Sequence, residues 1–264
     1  MMNHRPRKRF GQHFLHDPNV IGRIIAAINP KPDDVLVEIG PGTGALTRPL
    51  LERNRRLMVV ELDRDLAARM RDELGPLGLR VIETDALAHD FRQTSKEAGS
   101  AIRLVGNLPY NISTPLLFHL LDEIESIVDM HIMVQKEVAD RLVATPNSKA
   151  YGRLGVMVAA RAKAVKLFDV GPGAFSPPPK VESSVVRLSP LDEARVPHGE
   201  LSHFAATVRD AFAMRRKTLR RIFAKRIDAQ AIEACGISPS ARAETLGVEE
   251  FLALSRAISA TRNA

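Results

Sequence analysis

The segment Val37-Glu38-Ile39-Gly40-Pro41-Gly42-Thr43-Gly44 constrains this chain more than any other. A β-branched run stops at a glycine cluster, and a helical pattern follows. Glycines there let the backbone turn sharply and let a ligand approach it closely. Further strands are expected at Arg56–Asp63, Leu79–Thr84, Ile102–Gly106 and Asp129–Gln135, beside the first at Val35–Gly40. Helical patterns such as Arg64–Leu74 and Thr114–Asp122 lie between them. Strand, helix, strand at this spacing predicts an α/β fold with parallel strands and crossover helices. Ligand sites of such sheets lie outside the carboxyl ends of the strands.

Two more strands, Ala162–Val170 and Ser183–Leu188, flank a loop, Gly171–Lys180, that Pro177–Pro179 stiffen. Beyond Pro190 the texture changes. Asp192–Glu200 reads as a linker, and helices are expected at Leu201–Phe212, Lys217–Lys225, Ala229–Ala234 and Glu249–Ser259. The expected division is a catalytic domain over 1–190, opened by a basic arm over 1–15, and a small all-helical domain over 191–264.

A length of 264 residues with 45% hydrophobic content allows one sizeable core and a smaller second unit. The net charge of +7 suits a polyanionic partner, either nucleic acid or an acidic membrane surface. The single cysteine, Cys235, cannot make an internal disulfide, and no Cys or His pair has zinc-ligand spacing. It reads as a small buried apolar residue in a reducing cytoplasm, and no metal is expected. No apolar run is long enough for a signal peptide or a membrane span.

The glycine loop reads G-x-G-x-G, with the third glycine one residue earlier than in the dinucleotide pattern G-x-G-x-x-G. That argues against NAD and toward S-adenosylmethionine, which has no phosphate to cradle. Glu61 ends the next strand, about 20 residues on, where an acid accepts hydrogen bonds from ribose hydroxyls. Asp85 ends the third strand and suits an adenine amino group. Each acid alone is more often a solvated strand end. Together with Gly40 and Gly42 they form a constellation.

The fourth strand runs into Asn107-Leu108-Pro109-Tyr110. Alone, Asn-x-Pro-Tyr is a plain turn with a buried tyrosine. After such a cofactor loop it suits transfer to an adenine amino nitrogen, a poor nucleophile whose lone pair is delocalised. Acceptors aimed at its two N–H groups favour a pyramidal nitrogen. The Asn107 side-chain oxygen and the Leu108 carbonyl supply them, and Pro109 fixes the backbone. Tyr110 offers a flat face for stacking. Phe175, in the stiff loop, is the candidate for a second stacking face. Its alternative role is a hydrophobic anchor for that loop.

Arg7-Lys8-Arg9-Phe10-Gly11-Gln12-His13-Phe14-Leu15, the Glu38–Gly44 loop, Glu61-Leu62-Asp63, Asn107–Tyr110, the Phe175–Val181 loop and Arg215-Arg216-Lys217-Thr218 together resemble the ribosomal RNA adenine dimethyltransferase family. The likeness runs nearly end to end and is greatest to the bacterial small-subunit branch. It implies a Rossmann-like S-adenosylmethionine-dependent methyltransferase domain with a helical C-terminal domain. It implies dimethylation of two adjacent adenosines in the hairpin near the 3′ end of 16S rRNA, within an immature small subunit. Family cofactor contacts fall on His13, Leu15, Gly40, Glu61, Asp85 and Asn107. The family usually has asparagine where this chain has His13. Imidazole can still donate or accept one hydrogen bond, and a backbone contact survives the change. A monomeric, cytoplasmic enzyme is expected.

Positive charge gathers at Arg5, Arg7, Lys8 and Arg9, and again at Arg215, Arg216, Lys217, Arg220, Arg221, Lys225 and Arg226. On a helix from Lys217, residues 217, 220, 221 and 225 share one face, opposite Leu219, Ile222 and Phe223. Arg215, Arg216, Lys217, Arg220 and Arg221 are the expected contacts to RNA phosphates. A solvated basic face is the plainer alternative. Competing functions are a ribosome-assembly factor on a non-catalytic scaffold, a methyltransferase for protein glutamine or DNA adenine, and the large-subunit RNA branch of the family. The second of these usually carries proline in place of Leu108.

Overall fold

A computed structural model describes residues 12 to 263. The basic residues Arg5, Arg7, Lys8 and Arg9, and most of the arm expected over 1–15, lie outside the described residues. The first unit begins with β1 (Phe14–Leu15), α1 (Pro18–Ile28), β2 (Leu36–Ile39), α2 (Thr47–Arg53), β3 (Leu57–Glu61), α3 (Arg64–Leu74) and β4 (Arg80–Glu83). There follow α4 (Phe91–Ala98), β5 (Ile102–Asn107), α5 (Ser113–Asp122), β6 (Ile127–Gln135) and α6 (Lys136–Leu142). After α7 (Arg153–Ala159) come β7 (Ala162–Val170), β8 (Phe175–Ser176) and β9 (Ser183–Pro190). The helices α8 (Leu201–Ala213), α9 (Leu219–Ile222), α10 (Ala229–Ala234) and α11 (Val248–Asn263) complete the chain.

Local chemistry sets the helix starts. Asp17 caps α1 through Asn19 N–H at 2.8 Å, and Pro18 occupies the first turn, where its missing N–H costs nothing. Asp63 caps α3 and Asp90 caps α4 in the same way. The central strands are covered on both faces, as strands flanked by crossover helices must be. β2 and β3 are buried along their whole length.

Seven strands form one sheet in the order β4-β3-β2-β5-β6-β9-β7. β4, β3, β2, β5 and β6 are parallel. β9 runs antiparallel to β6. Its connection arrives through the proline loop rather than through a crossover helix, so it enters the sheet in the opposite sense. Arg103 on β5 ties the sheet below the site. It reaches Asp34 at 2.6 Å, Asp129 at 2.8 Å and the Ile28 carbonyl at 2.8 Å.

The chain divides into two compact units. One runs to Ala139 and resumes over Ala164–Pro190. The other joins Asp140–Lys163 to the residues from Leu191 onward. Asp140–Lys163, assigned from sequence to the catalytic domain, therefore groups with the helical residues. The reason is packing: Tyr151 donates to the Leu246 carbonyl at 2.8 Å, and its ring meets Phe212, which meets Phe251. The helix expected over Lys217–Lys225 shortens to Leu219–Ile222, between the extended Thr218 and the non-helical Phe223. Leu219 and Phe223 are buried while Arg220 and Arg221 are exposed.

Candidate active site

The carboxyl ends of β2, β3, β4 and β5 open into one cleft, with β1 across it. His13, Leu15, Gly40, Gly42, Glu61, Asp85, Asn107, Leu108, Pro109 and Tyr110 all line it. These residues come from five separate chain segments. Phe175 does not line it. It is 2% exposed, sits in the core with Leu15, and pairs with Leu15 through the β1–β8 ladder. Its ring anchors the loop and presents no free face to a base, which corrects the stacking assignment.

The glycine loop is shaped by what it must approach. Gly42 has φ +56°, and a Cβ there would lie 2.9 Å from the Phe14 ring. Its N–H donates to Glu61 Oε2 at 3.3 Å, while Glu61 Oε1 accepts from Asp63 N–H at 2.8 Å. The acid at the end of β3 is thus fixed by backbone donors, with lone pairs left over for a ligand. Burial nonetheless pushes its carboxyl above the usual range. Asp85 accepts from Leu87 N–H at 2.9 Å.

Glu38 was given no role from sequence. It is 2% exposed, lines the cleft, and accepts from Thr47 Oγ1 at 2.7 Å. An acid inside an otherwise apolar strand is the signal that could have singled it out. With Glu61 and Asp85 it makes three carboxylates around the cleft, and among the described residues no lysine or arginine lines it. In a chain of net charge +7 that is a local reversal of sign. Such a cleft repels phosphate and favours a ligand with positive charge.

Asn107 ends β5, and its Nδ2 donates to the His13 carbonyl at 2.9 Å. That bond fixes the amide orientation, because a carbonyl can only accept. Its Oδ1 is buried without a hydrogen-bond partner among the described residues. Leu108 N–H donates to the Met133 carbonyl at 3.0 Å and holds the turn on β6. The Tyr110 hydroxyl meets Ser183 Oγ at 2.6 Å, a tether that sequence reading missed. Burial raises the pKa of that hydroxyl. The imidazole of His13 stacks on Tyr110, with centroids 5.4 Å apart and 27° between planes. His13 Nδ1 lies 2.7 Å from the Pro177 carbonyl, so this nitrogen carries the proton.

In the helical unit, Arg216, Lys217, Arg220 and Arg221 are exposed and pair with no acid among the described residues. Arg215 differs. It pairs with Glu244 at 3.1 Å and donates to the Lys149 carbonyl at 3.1 Å. Among the described residues no group of His, Cys, Asp and Glu could hold a metal ion, and no helix is long and apolar enough to cross a membrane.

A family model described as ribosomal RNA adenine dimethylase matches residues 3–260. A protein of Bordetella avium named ribosomal RNA small subunit methyltransferase A is 52% identical over 260 residues, covering 98% of each chain. Its namesake in Marinobacter nauticus is 49% identical over 259 residues, covering 98% of this chain and 93% of its own. Among solved structures, a dimethyladenosine transferase from Plasmodium falciparum superposes with a TM-score of 0.80 at 26% identity, covering 95% of this chain and 98% of its own. The 23S rRNA methyltransferase ErmE superposes with a TM-score of 0.70 at 26% identity, covering 93% and 99%.

Proposed function

This chain belongs to the ribosomal RNA adenine dimethylase family, and from that premise we propose that it transfers methyl groups from S-adenosylmethionine to the N6 amino groups of two adjacent adenosines in the 3′-terminal hairpin of 16S rRNA, giving N6,N6-dimethyladenosine. The observation that carries this reading is Asn107 Oδ1, a buried acceptor at the cleft with no donor of its own. A buried acceptor left unpaired costs about 1–3 kcal/mol, so it is retained where a ligand donor arrives. An exocyclic amino group is such a donor.

The residues fit the cofactor. Gly42 lets the loop pass against the Phe14 ring at the cleft wall, where a side chain would collide, Glu61 offers acceptors to ribose hydroxyls, and Asp85 offers one to an adenine amino group. The acidic cleft accepts a ligand of positive charge. When bound, S-adenosylmethionine supplies a methyl group on a sulfonium, an activated leaving group. The chain's own work is then placement and hydrogen bonding. Asn107 Oδ1 and the Leu108 carbonyl accept from the target N–H groups and leave its lone pair free. Tyr110, held by Ser183, gives the base a surface to stack on. The amine proton passes to water after transfer.

A base reaches this cleft only after leaving its helix, at a cost of roughly a few kcal/mol. Phosphate contacts from Arg216, Lys217, Arg220 and Arg221 offset that cost. Arg215, tied to Glu244, supports its own unit instead. The small-subunit target is favoured over the large one by 52% identity to the small-subunit enzyme of Bordetella avium against 26% to ErmE. The reading extends to an immature small subunit as substrate, acted on in the cytoplasm by a monomer.

The test is transfer from radiolabelled S-adenosylmethionine to immature small subunits, followed by nucleoside analysis. Labelled N6,N6-dimethyladenosine at the two hairpin adenosines is the expected result. Tight binding of subunits without transfer, under conditions where an active relative transfers, would overturn it in favour of a non-catalytic assembly factor.

A further inference from the structure

Of the three carboxylates at the cleft, only Glu38 has no task in the reaction above. Glu61 and Asp85 are pinned by backbone N–H groups. Glu38 sits on β2 at 2% exposure with one partner, the Thr47 hydroxyl at 2.7 Å. No described lysine, arginine or histidine pairs with it. Among the described residues, the charged groups that share the cleft with it are Glu61 from β3 and Asp85 after β4, both acidic, and His13 across the cleft; α2 presents to it the Thr47 hydroxyl. A carboxylate so placed lacks the cation or the set of donors that normally makes burial of charge tolerable. It keeps a proton until a ligand of net positive charge comes to the cleft. Burial pushes the Glu38 carboxyl up to about 8, against the Thr47 hydrogen bond and with help from Glu61.

S-adenosylmethionine and its spent form, S-adenosylhomocysteine, share ribose, adenine, ammonium and carboxylate. They differ by a methyl group and one unit of charge, sulfonium against thioether. We infer that Glu38 is the residue by which the cleft tells the two apart, giving up its proton as the sulfonium ligand binds and keeping it when the thioether binds. The inference rests on the cofactor reading above. It also supplies a reason for product to leave. When the sulfur–carbon bond breaks and the nitrogen–carbon bond forms, the sulfur keeps the electron pair and becomes neutral. The positive charge moves to the amine and departs as a proton to water. Glu38 then takes a proton back from water, and the attraction that held the ligand is gone.

The experiment is titration calorimetry of the ligand-free protein with each compound, in buffers of different ionisation enthalpy, at pH 7 and pH 9. The number of protons released per ligand is read for wild type and for Glu38→Gln. Subtracting the variant removes the contribution of the ligand's own amino group. A carboxyl titrating at about 8 is about 0.9 protonated at pH 7. The difference expected for S-adenosylmethionine is therefore close to one proton at pH 7 and near zero at pH 9. For S-adenosylhomocysteine it is near zero at both. Wild-type affinity for S-adenosylmethionine rises about eightfold to tenfold between these pH values relative to the variant, following the ionised fraction.

A second measurement needs no variant. Glutamate carboxyl carbons labelled with carbon-13 report the charge of Glu38 directly in the wild-type protein at pH 7. The Glu38 resonance is expected in the protonated position in the free protein and with S-adenosylhomocysteine, and in the ionised position with S-adenosylmethionine. Equal proton release by the two compounds, or a Glu38 signal already ionised in the free protein at pH 7, would overturn the inference and leave the cofactor reading intact. Failure of both compounds to bind would overturn both.

Discussion

Replacing Asn107 by alanine separates a residue kept for chemistry from one kept for the fold. Two energies oppose each other in the ligand-free protein. The variant loses the Nδ2 hydrogen bond to the His13 carbonyl, 2.9 Å long, worth about 0.5–1.5 kcal/mol. It also removes Oδ1, a buried acceptor whose lack of a partner costs about 1–3 kcal/mol. The net change in stability is expected between about 0.5 kcal/mol lost and about 2.5 kcal/mol gained. Catalysis has no such compensation. Losing one acceptor or donor that acts on the reacting group typically costs about 2.7–4 kcal/mol, or 10²–10³ in kcat. On the proposed reading RNA affinity comes from phosphate contacts elsewhere, so binding of small subunits should stay within about threefold. Urea unfolding, a subunit-binding assay and single-turnover transfer measure the three quantities. A loss of stability above about 3 kcal/mol with kcat near wild type would refute the reasoning, because Asn107 would then serve the fold.

Four further outcomes can be checked. Glu38→Gln should remove a pH dependence: a carboxyl raised from 4.5 to about 8 by folding gives stability that is full below pH 4.5 and lost as pH rises through 8, about 5 kcal/mol in all. The ligand-free variant should therefore unfold at higher urea than wild type at pH 9 and at similar urea at pH 4.5; parallel midpoints across that range would contradict it. Phe175→Leu, which removes part of a buried ring, should cost about 1–3 kcal/mol in urea unfolding and leave kcat nearly unchanged; a hundredfold fall in kcat would restore a stacking role. Gly106→Ala puts a Cβ 2.4 Å from the Ile39 carbonyl oxygen, between paired β2 and β5. It should cost about 1–3 kcal/mol by thermal unfolding and lower kcat by moving Asn107. Arg216→Ala or Lys217→Ala should each reduce the slope of log affinity for RNA against log salt by about 0.7–0.9, whereas Arg215→Ala should leave it unchanged.

Much of the fold was legible because its signals are local. Arg64–Leu74, Ala162–Val170 and Ala229–Ala234 stand in the structure at the boundaries read from sequence. Their ends are marked by capping side chains, glycines or abrupt changes of periodicity. The short helix Leu219–Ile222 was over-extended, because periodicity continues through Phe223 and Lys225 while the backbone does not. The antiparallel sense of β9 left no local mark, since strand direction depends on where the connection returns. The grouping of Asp140–Lys163 with the helical residues left no local mark for a similar reason. Its partners, such as Leu246 for Tyr151, lie far along the chain.

At the cleft the same division holds. The sequence by itself determined which chemical groups stand at strand ends: the glycines of β2, the acids after β3 and β4, and the asparagine of β5. Strand periodicity and turn chemistry act over a few residues, so the chain carries them openly. Only the tertiary structure decided which of those groups are free to act. It buried Phe175 against Leu15 and withdrew it from the cleft. It bound Arg215 to Glu244, left Asn107 Oδ1 without a hydrogen-bond partner among the described residues, and gave Glu38 a single hydroxyl in place of a cation. Burial and partnership depend on residues distant in sequence, and water is excluded only when the whole unit closes around them.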